Sequence, residues 1–107
     1  MTTERERIRA NRRAIRREYG DLYDRVLQIL FEIDPIGINF SHNTDEYEPE
    51  VDTILPRLRS CTSARDVQQV VHEEFCRWFD ADLAGAPDRY GEIAAKIWTE
   101  VQKASSH

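Results

Sequence analysis

The residues best suited to chemistry lie in the middle of the chain, where five carboxylates fall within eight positions. These are Asp45, Glu46, Glu48, Glu50 and Asp52. Such oxygen ligands can hold a hard cation, but their spacing does not match the calcium-binding loop of an EF-hand. They can equally form a solvated helix start that complements the helix dipole, or a surface that binds a basic protein. Tyr47 favours the protein-binding option, because aromatic residues are enriched at binding surfaces.

We therefore predict a partner-binding surface in this segment and no metal site. Its residues are Asp45, Glu46, Tyr47, Glu48 and Glu50. Charge complementarity at such a surface would mainly speed association and set specificity.

Other reactive side chains give no recognisable catalytic or metal site. Cys61, His72 and Cys76 have Cys-x10-His-x3-Cys spacing, which fits no common structural zinc pattern. We expect a partly exposed His72 on the polar side of its helix, beside Glu73 and Glu74. Ser41 and His42 are adjacent, and neighbouring side chains rarely face each other as a catalytic triad requires. A glycine-rich phosphate loop is also missing from the sequence. We predict no enzyme, no catalytic residue and no cofactor.

An arginine-rich arm precedes this acidic region. Residues 1–18 hold seven Arg and three Glu, a net charge of +4, whereas the other 89 residues carry a net charge of −9. Arg5, Arg9, Arg12 and Arg16 share one helical face and could contact phosphates. The acidic body would repel nucleic acid, however, and no aromatic residue precedes Tyr19 to stack on bases. The arm could be solvated, pair with an acidic surface of its own or a sister chain, or bind nucleic acid.

Length and composition indicate one soluble domain spanning residues 1–107. The sequence is 40% hydrophobic and 33% charged, which is typical of a globular protein with a highly charged surface. No apolar run approaches the roughly 20 residues of a membrane span, and the N-terminus lacks the apolar core of a signal peptide. We expect a cytoplasmic protein with no membrane partner.

Hydrophobic periodicity predicts an all-α fold, an antiparallel bundle of about four helices with a long loop at 34–46. The first helix should cover 4–33, where an apolar residue recurs every seven positions. The residues of this stripe are Ile8, Ile15, Leu22 and Ile29. Gly20 either divides an exposed arm from a packed helix or is simply tolerated within one helix. Asp34-Pro35 ends the helix, because proline pushes the preceding residue out of the α region.

The second helix is expected to begin near Tyr47. Asp45 can cap it, and Pro49 is allowed in its first turn because the N–H at that position is unpaired anyway. Pro56 predicts a kink or a restart, since proline is costly in a helix interior.

The third helix should open at Ser63, because Ser63 and Asp66 have the spacing of a capping box. A fourth helix should begin at Asp88, after the break at Gly85-Ala86-Pro87. The inner face of the third helix is predicted to be Val67, Val70, Val71, Phe75, Trp78 and Phe79.

Two short motifs carry a family resemblance. Asp34-Pro35-Ile36-Gly37-Ile38, then Asp45-Glu46-Tyr47-Glu48, followed by Ile54 and Leu58, resembles a bacterial family of small uncharacterised helical proteins. Its members typically carry Trp-Asp-Pro-Ile-Gly-Val and, about ten residues later, Asp-Glu-Tyr. Proteins of similar shape occur as immunity proteins of contact-dependent and polymorphic toxin systems, so the resemblance implies a toxin-binding role.

The resemblance extends over roughly residues 22–80. Ile33 replaces the family's Trp, the arginine arm is additional, and Pro49 and Pro56 interrupt the second helix. The matching positions are Asp34, Pro35, Gly37, Asp45, Glu46 and Tyr47. Asp34 and Asp45 could cap a helix end or a turn, with Gly37 supplying a permissive backbone between them.

Three hypotheses about function follow. The first is a non-enzymatic protein-binding module, most concretely an immunity-type inhibitor that neutralises a basic bacterial toxin through its acidic loop and second helix. The second is an accessory protein that binds nucleic acid through the arginine-rich helix. The third is a self-associating structural protein, a homodimer through helix 1 that uses the stripe beginning at Ile8.

Overall fold

A computed structural model describes residues 3–37 and 47–105, and within these ranges every regular element is a helix. The α-helices are α1 (Glu4–Tyr19), α2 (Asp21–Ile33), α3 (Glu48–Ile54), α4 (Ala64–Phe79), α5 (Ala81–Ala84) and α6 (Gly91–Ser105). Two 3₁₀ helices, Leu55–Ser60 and Pro87–Tyr90, follow α3 and α5. The all-α prediction is confirmed. The described residues hold more elements than the four helices expected, because glycine and proline subdivide the predicted ones.

The predicted first helix is two helices that meet at Gly20. This residue has φ 56° and ψ −128°, a backbone conformation that favours glycine. Its N–H donates to the Arg16 carbonyl at 2.8 Å and closes the last turn of α1. Ile15 and Ile29 are both buried, but on different helices. The seven-residue stripe is therefore not one continuous surface, and of these positions only Ile8 remains largely exposed.

The start of α3 differs slightly from expectation. The helix begins at Glu48, and Tyr47 at the N-cap position makes no side-chain capping bond. The predicted cap, Asp45, lies outside the described residues. Pro49 occupies the first turn as predicted. The predicted restart at Pro56 is confirmed, since the chain passes there from α3 into the 3₁₀ helix.

The capping prediction for α4 is confirmed. The Ser63 hydroxyl accepts a hydrogen bond from the Asp66 N–H at 3.2 Å. The Asp66 carboxylate accepts from both the N–H and the hydroxyl of Thr62, each at 2.9 Å. The Thr62 N–H bond, with the hydroxyl bond after it, holds the pKa of Asp66 below its usual value. The last helix begins at Gly91 rather than Asp88, because the turn around Asp88 is 3₁₀.

The core lies where α6 packs against α2 and α4, with α3 packed on α4 and α1 on α2 and α3. Phe75 occupies its centre. The Phe75 ring centroid lies 5.9 Å from that of Tyr47, 5.7 Å from Phe79 and 5.1 Å from Tyr90. Aromatic pairs at such separations add to the stability gained from burial.

The predicted inner face of α4 is largely correct. Val67, Val70, Val71 and Phe75 are buried. Trp78 is the exception, because 47% of it is exposed at the edge of the helix. Its indole N–H donates to the Thr53 hydroxyl at 3.0 Å. Within the described ranges, no helix is long and apolar enough to cross a membrane.

Two glycines allow a matched test of the division at Gly20. Gly20→Ala should lower the free energy of unfolding by about 1–3 kcal/mol, because alanine is strained at positive φ. Gly91→Ala should raise it by about 0.4–1 kcal/mol, because Gly91 has helical angles, φ −61° and ψ −47°. Apart from the adjoining residues and the backbone of the same helix, no described atom lies within 4 Å of the added Cβ at either position. Urea denaturation checks both values, and shifts of the same sign would contradict this account.

Candidate protein-binding site

The two family-like motifs meet at the hydroxyl of Tyr47. Asp34 ends α2 in the left-handed conformation, φ 52° and ψ 60°, and its carboxylate accepts from the Tyr47 hydroxyl at 2.6 Å. The Ile36 N–H donates to the same hydroxyl oxygen at 3.3 Å. The Gly37 N–H returns to the Asp34 carbonyl at 3.1 Å, and Gly37 has φ 77°. The predicted cap at Asp34 and permissive backbone at Gly37 are therefore confirmed.

Pro35 connects this turn to the segment between α4 and α6. Its carbonyl accepts from the Arg89 guanidinium at 3.4 Å, and the same Arg89 nitrogen donates to the Leu83 carbonyl at 2.8 Å. Asp34, Pro35 and Gly37 thus form a turn that is held by contacts with distant parts of the chain.

The described residues of the expected contact surface are less accessible than the sequence implied. Tyr47 is fully buried beneath Phe75, and Glu50 is only 3% exposed. These two side chains were expected at the surface but lie in the interior, because the inner side of α3 faces α4. Asp45 and Glu46 lie outside the described residues. Glu48 lies at the surface, but its side chain is only 14% exposed.

Two arginines of α1 cover Glu48. Arg16 donates from Nη2 to Glu48 Oε2 at 2.7 Å, and Arg12 Nη1 lies 3.6 Å from Glu48 Oε1. One carboxylate of α3 thus binds two guanidinium groups of another helix. The hypothesis that the arm pairs with an acidic surface of its own chain is confirmed for these two arginines.

Asp52 lies one turn further along α3 and links three helices. Its carboxylate accepts from Arg12 Nε of α1 at 2.9 Å and from the Tyr23 hydroxyl of α2 at 2.8 Å. Burial raises the pKa of Asp52 above its usual value, although the hydrogen bonds from Tyr23 and Arg12 oppose that shift. Burial and the bond to Asp52 also raise the pKa of Tyr23.

The Arg16 guanidinium is bound by two carboxylates at its edges and by an aromatic ring against its plane. Its Nη1 donates to Asp24 at 2.9 Å, and its Cζ lies 4.2 Å from the centroid of the Tyr23 ring. A guanidinium over an aromatic face gains a cation–π attraction. We call the surface formed by Asp24, Glu48, Asp52 and the Tyr23 ring the arginine-binding face.

The sequence contains a signal for this face, because its arginines and its carboxylates have the same spacing. Arg12 and Arg16 are four residues apart on α1, and Glu48 and Asp52 are four residues apart on α3. Residues at this interval share one side of a helix, so the two pairs can meet when the helices pack side by side. Sequence reasoning placed these four residues in an arginine stripe and an acidic segment, but it did not predict that they meet, nor that Tyr23 completes the face.

The described residues do not assemble the candidate zinc set. His72 Nε2 lies 2.9 Å from the Gly85 carbonyl oxygen and 3.4 Å from Cys76 Sγ. His72 is partly exposed, as expected, and its ring centroid lies 5.7 Å from that of Tyr90. Cys61 is a free thiol whose pKa is raised by burial. Within residues 3–37 and 47–105, no three His, Cys, Asp or Glu side chains are placed to hold a metal ion.

Comparison of the chain with protein-family models, with curated proteins and with solved structures finds no significant match. The role of the site is therefore argued from its geometry. What that geometry can do chemically is bind a guanidinium, through carboxylates at its edges and an aromatic ring against its plane.

Tyr47→Phe tests the connection between the two motifs. It should lower the free energy of unfolding by about 1–3 kcal/mol, because Asp34 loses a hydrogen bond and the Ile36 N–H loses its acceptor. Tyr19→Phe is the matched control. Tyr19 is only half-buried, and its loss should be less than about 0.5 kcal/mol. Thermal and chemical denaturation check both variants. Equal losses of stability in Tyr47→Phe and Tyr19→Phe would contradict a specific role for the Tyr47 hydroxyl.

Proposed function

We propose that this chain is a non-enzymatic protein-binding module, in its most concrete form an immunity-type inhibitor that neutralises a basic bacterial toxin. The observation that carries the proposal is the arginine-binding face, where Glu48 and Asp52 bind Arg12 and Arg16 of α1. The resemblance of the 34–38 and 45–48 motifs to immunity-type proteins points in the same direction.

The geometry of the face favours arginine over lysine. Arg16 uses its two terminal nitrogens on two different carboxylates, Asp24 and Glu48, while its plane lies against Tyr23. A lysine ammonium is a compact point charge that cannot bridge two such sites and stack at once. A partner whose active site carries arginine would therefore match this chemistry.

The charge of the chain supports a basic partner as well. The 89 residues after position 18 carry a net charge of −9, which would attract a positively charged protein over long distances. The proposed contact surface is Glu48 together with Asp45 and Glu46, which precede it in the sequence. Tyr47 and Glu50 support this surface from within.

Charge reversal tests whether the proposed contact surface binds the toxin. The binding partner in the experiment is the protein encoded by an adjacent toxin-like gene. The double variant Asp45→Lys/Glu46→Lys should weaken binding at least tenfold in titration calorimetry at physiological salt, because it places like charges against a basic partner. Asp82→Lys/Asp88→Lys, at two exposed positions, is the control with the same change in net charge. It should bind within threefold of the wild type.

Equal losses in the two double variants would show that total charge matters rather than this surface. Failure of the unmodified chain to bind the toxin or to protect cells from it would remove the immunity function.

The second candidate is binding of nucleic acid, favoured by the exposure of Arg5, Arg9 and Arg13 on α1. Arg12 and Arg16 are already bound to carboxylates, which leaves a shorter basic stripe than the sequence implied. Homodimer formation through helix 1 would now depend mainly on Ile8.

The nucleic-acid candidate predicts salt-sensitive binding of a labelled 20-base-pair DNA or RNA duplex in fluorescence anisotropy. Affinity should fall steeply between about 50 and 200 mM salt, as expected for phosphate contacts. The triple variant Arg5→Gln/Arg9→Gln/Arg13→Gln should abolish binding. Arg65→Gln/Arg77→Gln/Lys96→Gln removes the same charge at three other exposed positions; it is the control and should leave most of the binding. No binding at 20 mM salt by the wild type would exclude this candidate.

A further inference from the structure

The attachment of α1 to the rest of the molecule is mostly polar. Ile15 is the buried residue of this 16-residue helix, and positions 4–11 are all exposed. Most of the polar attachment passes through Arg12 and Arg16, which bind carboxylates of α2 and α3. At the end of the helix, Glu18 pairs with Arg59, and partly buried Tyr19 packs against the core. An ion pair contributes little net stability compared with buried apolar side chains, whether it lies at the surface or, like Arg12 with buried Asp52, must stay paired because of its desolvation. A helix held in this way is easier to detach than α4 or α6.

The connection to α2 also permits detachment. Gly20 is exposed, and the chain passes from α1 into α2 at that one residue. Glycine can change its backbone angles with little steric cost, so α1 can move without disturbing the helix that follows. The N–H of Tyr23 returns to the Gly20 carbonyl at 3.1 Å, which starts α2 independently of α1.

We propose that α1 is a displaceable cover of the arginine-binding face. In the free protein Arg12 and Arg16 occupy the face, and in the complex an arginine-bearing segment of the protein partner takes their place on Glu48, Asp52 and Tyr23. The inference rests on the proposed function and names how the partner reaches the acidic surface.

The exchange is chemically balanced. Each guanidinium that leaves Glu48 or Asp52 is replaced by another, so no carboxylate of the face stays buried without a cation. The main loss is the burial of Ile15, which an apolar side chain of the partner can restore. The departing arginines return to water, where their charge is well solvated. α1 therefore competes with the partner for one surface and does not form a second, independent site.

Such a cover imposes a threshold on recognition. A ligand with a single cationic group must displace a helix that binds at two guanidinium groups at once, and it will not do so efficiently. A partner that presents two suitably spaced arginines can. The cover would thus reject small cations and weakly basic proteins while it admits the matching surface.

The test uses the full chain and a labelled peptide with the sequence of residues 3–20 as the probe. In the chain with Arg12→Gln/Arg16→Gln, the arginine-binding face should be vacant. This variant should bind the peptide at least tenfold more tightly than the wild type does. Arg5→Gln/Arg9→Gln is the matched control, since it removes the same charge from exposed positions, and it should bind like the wild type. A peptide with both Arg12 and Arg16 replaced by Gln should bind neither variant.

Hydrogen exchange on the unmodified protein gives a second measurement that does not depend on the variant folding. Amides of α1 between Ile8 and Tyr19 should exchange at least 100-fold faster than those of Phe75 and Ile97 in the core. Equal protection of α1 and the core would overturn the proposal. So would a folded Arg12→Gln/Arg16→Gln chain that binds the peptide no better than its control.

Neither measurement involves the toxin. Their failure would therefore leave the protein-binding function standing. The opposite result is also possible to recognise. If α1 exchanges fast and the face binds the peptide but the chain does not bind the toxin, the displaceable cover is supported and the proposed function is contradicted.

Discussion

A buried carboxylate between three helices is the constraint on which this structure depends. Asp52 is almost fully enclosed, and a charge in that position is unfavourable unless it is paired and hydrogen-bonded. Arg12 and Tyr23 supply the two bonds, and they come from two other helices. The position of α1 over α2 and α3 follows from this requirement, since α1 buries little apolar surface of its own.

A second fixed point, the Tyr47 hydroxyl, organises the opposite end of α2. It joins the left-handed residue Asp34 to the start of α3, while the ring of Tyr47 lies against Phe75 in the core. Asp34 and Tyr47, which the sequence placed in candidate motifs, thus have a structural role inside the molecule. The acidic α3 is therefore held at two points, by Tyr47 just before it and by the bonds of Asp52 within it.

Local features of the sequence predicted the helices well. Pro56 and Ser63 marked real boundaries because proline and a capping hydroxyl act within a few residues of themselves. Gly20 left two alternatives, since glycine is compatible with both. The burial of Tyr47 and Glu50, and the binding of Arg12 by Asp52 forty residues away, depend on how helices pack. Such contacts are set by the whole fold and leave only weak signals in one sequence.

The bond between Tyr47 and Asp34 has a consequence for how this protein can change over time. Asp34 and Ile36 precede positions 38–46 in the sequence and Tyr47 follows them, and the Tyr47 hydroxyl joins the two sides. Once the ends of a segment are fixed by the body, doubling its length adds only about 0.6 kcal/mol to the entropy of closing it. A change in the number of residues between Gly37 and Tyr47 therefore costs little free energy as long as this bond holds the two anchors together. The length of the chain between these anchors can thus vary over evolution while α2 and α3 stay in place.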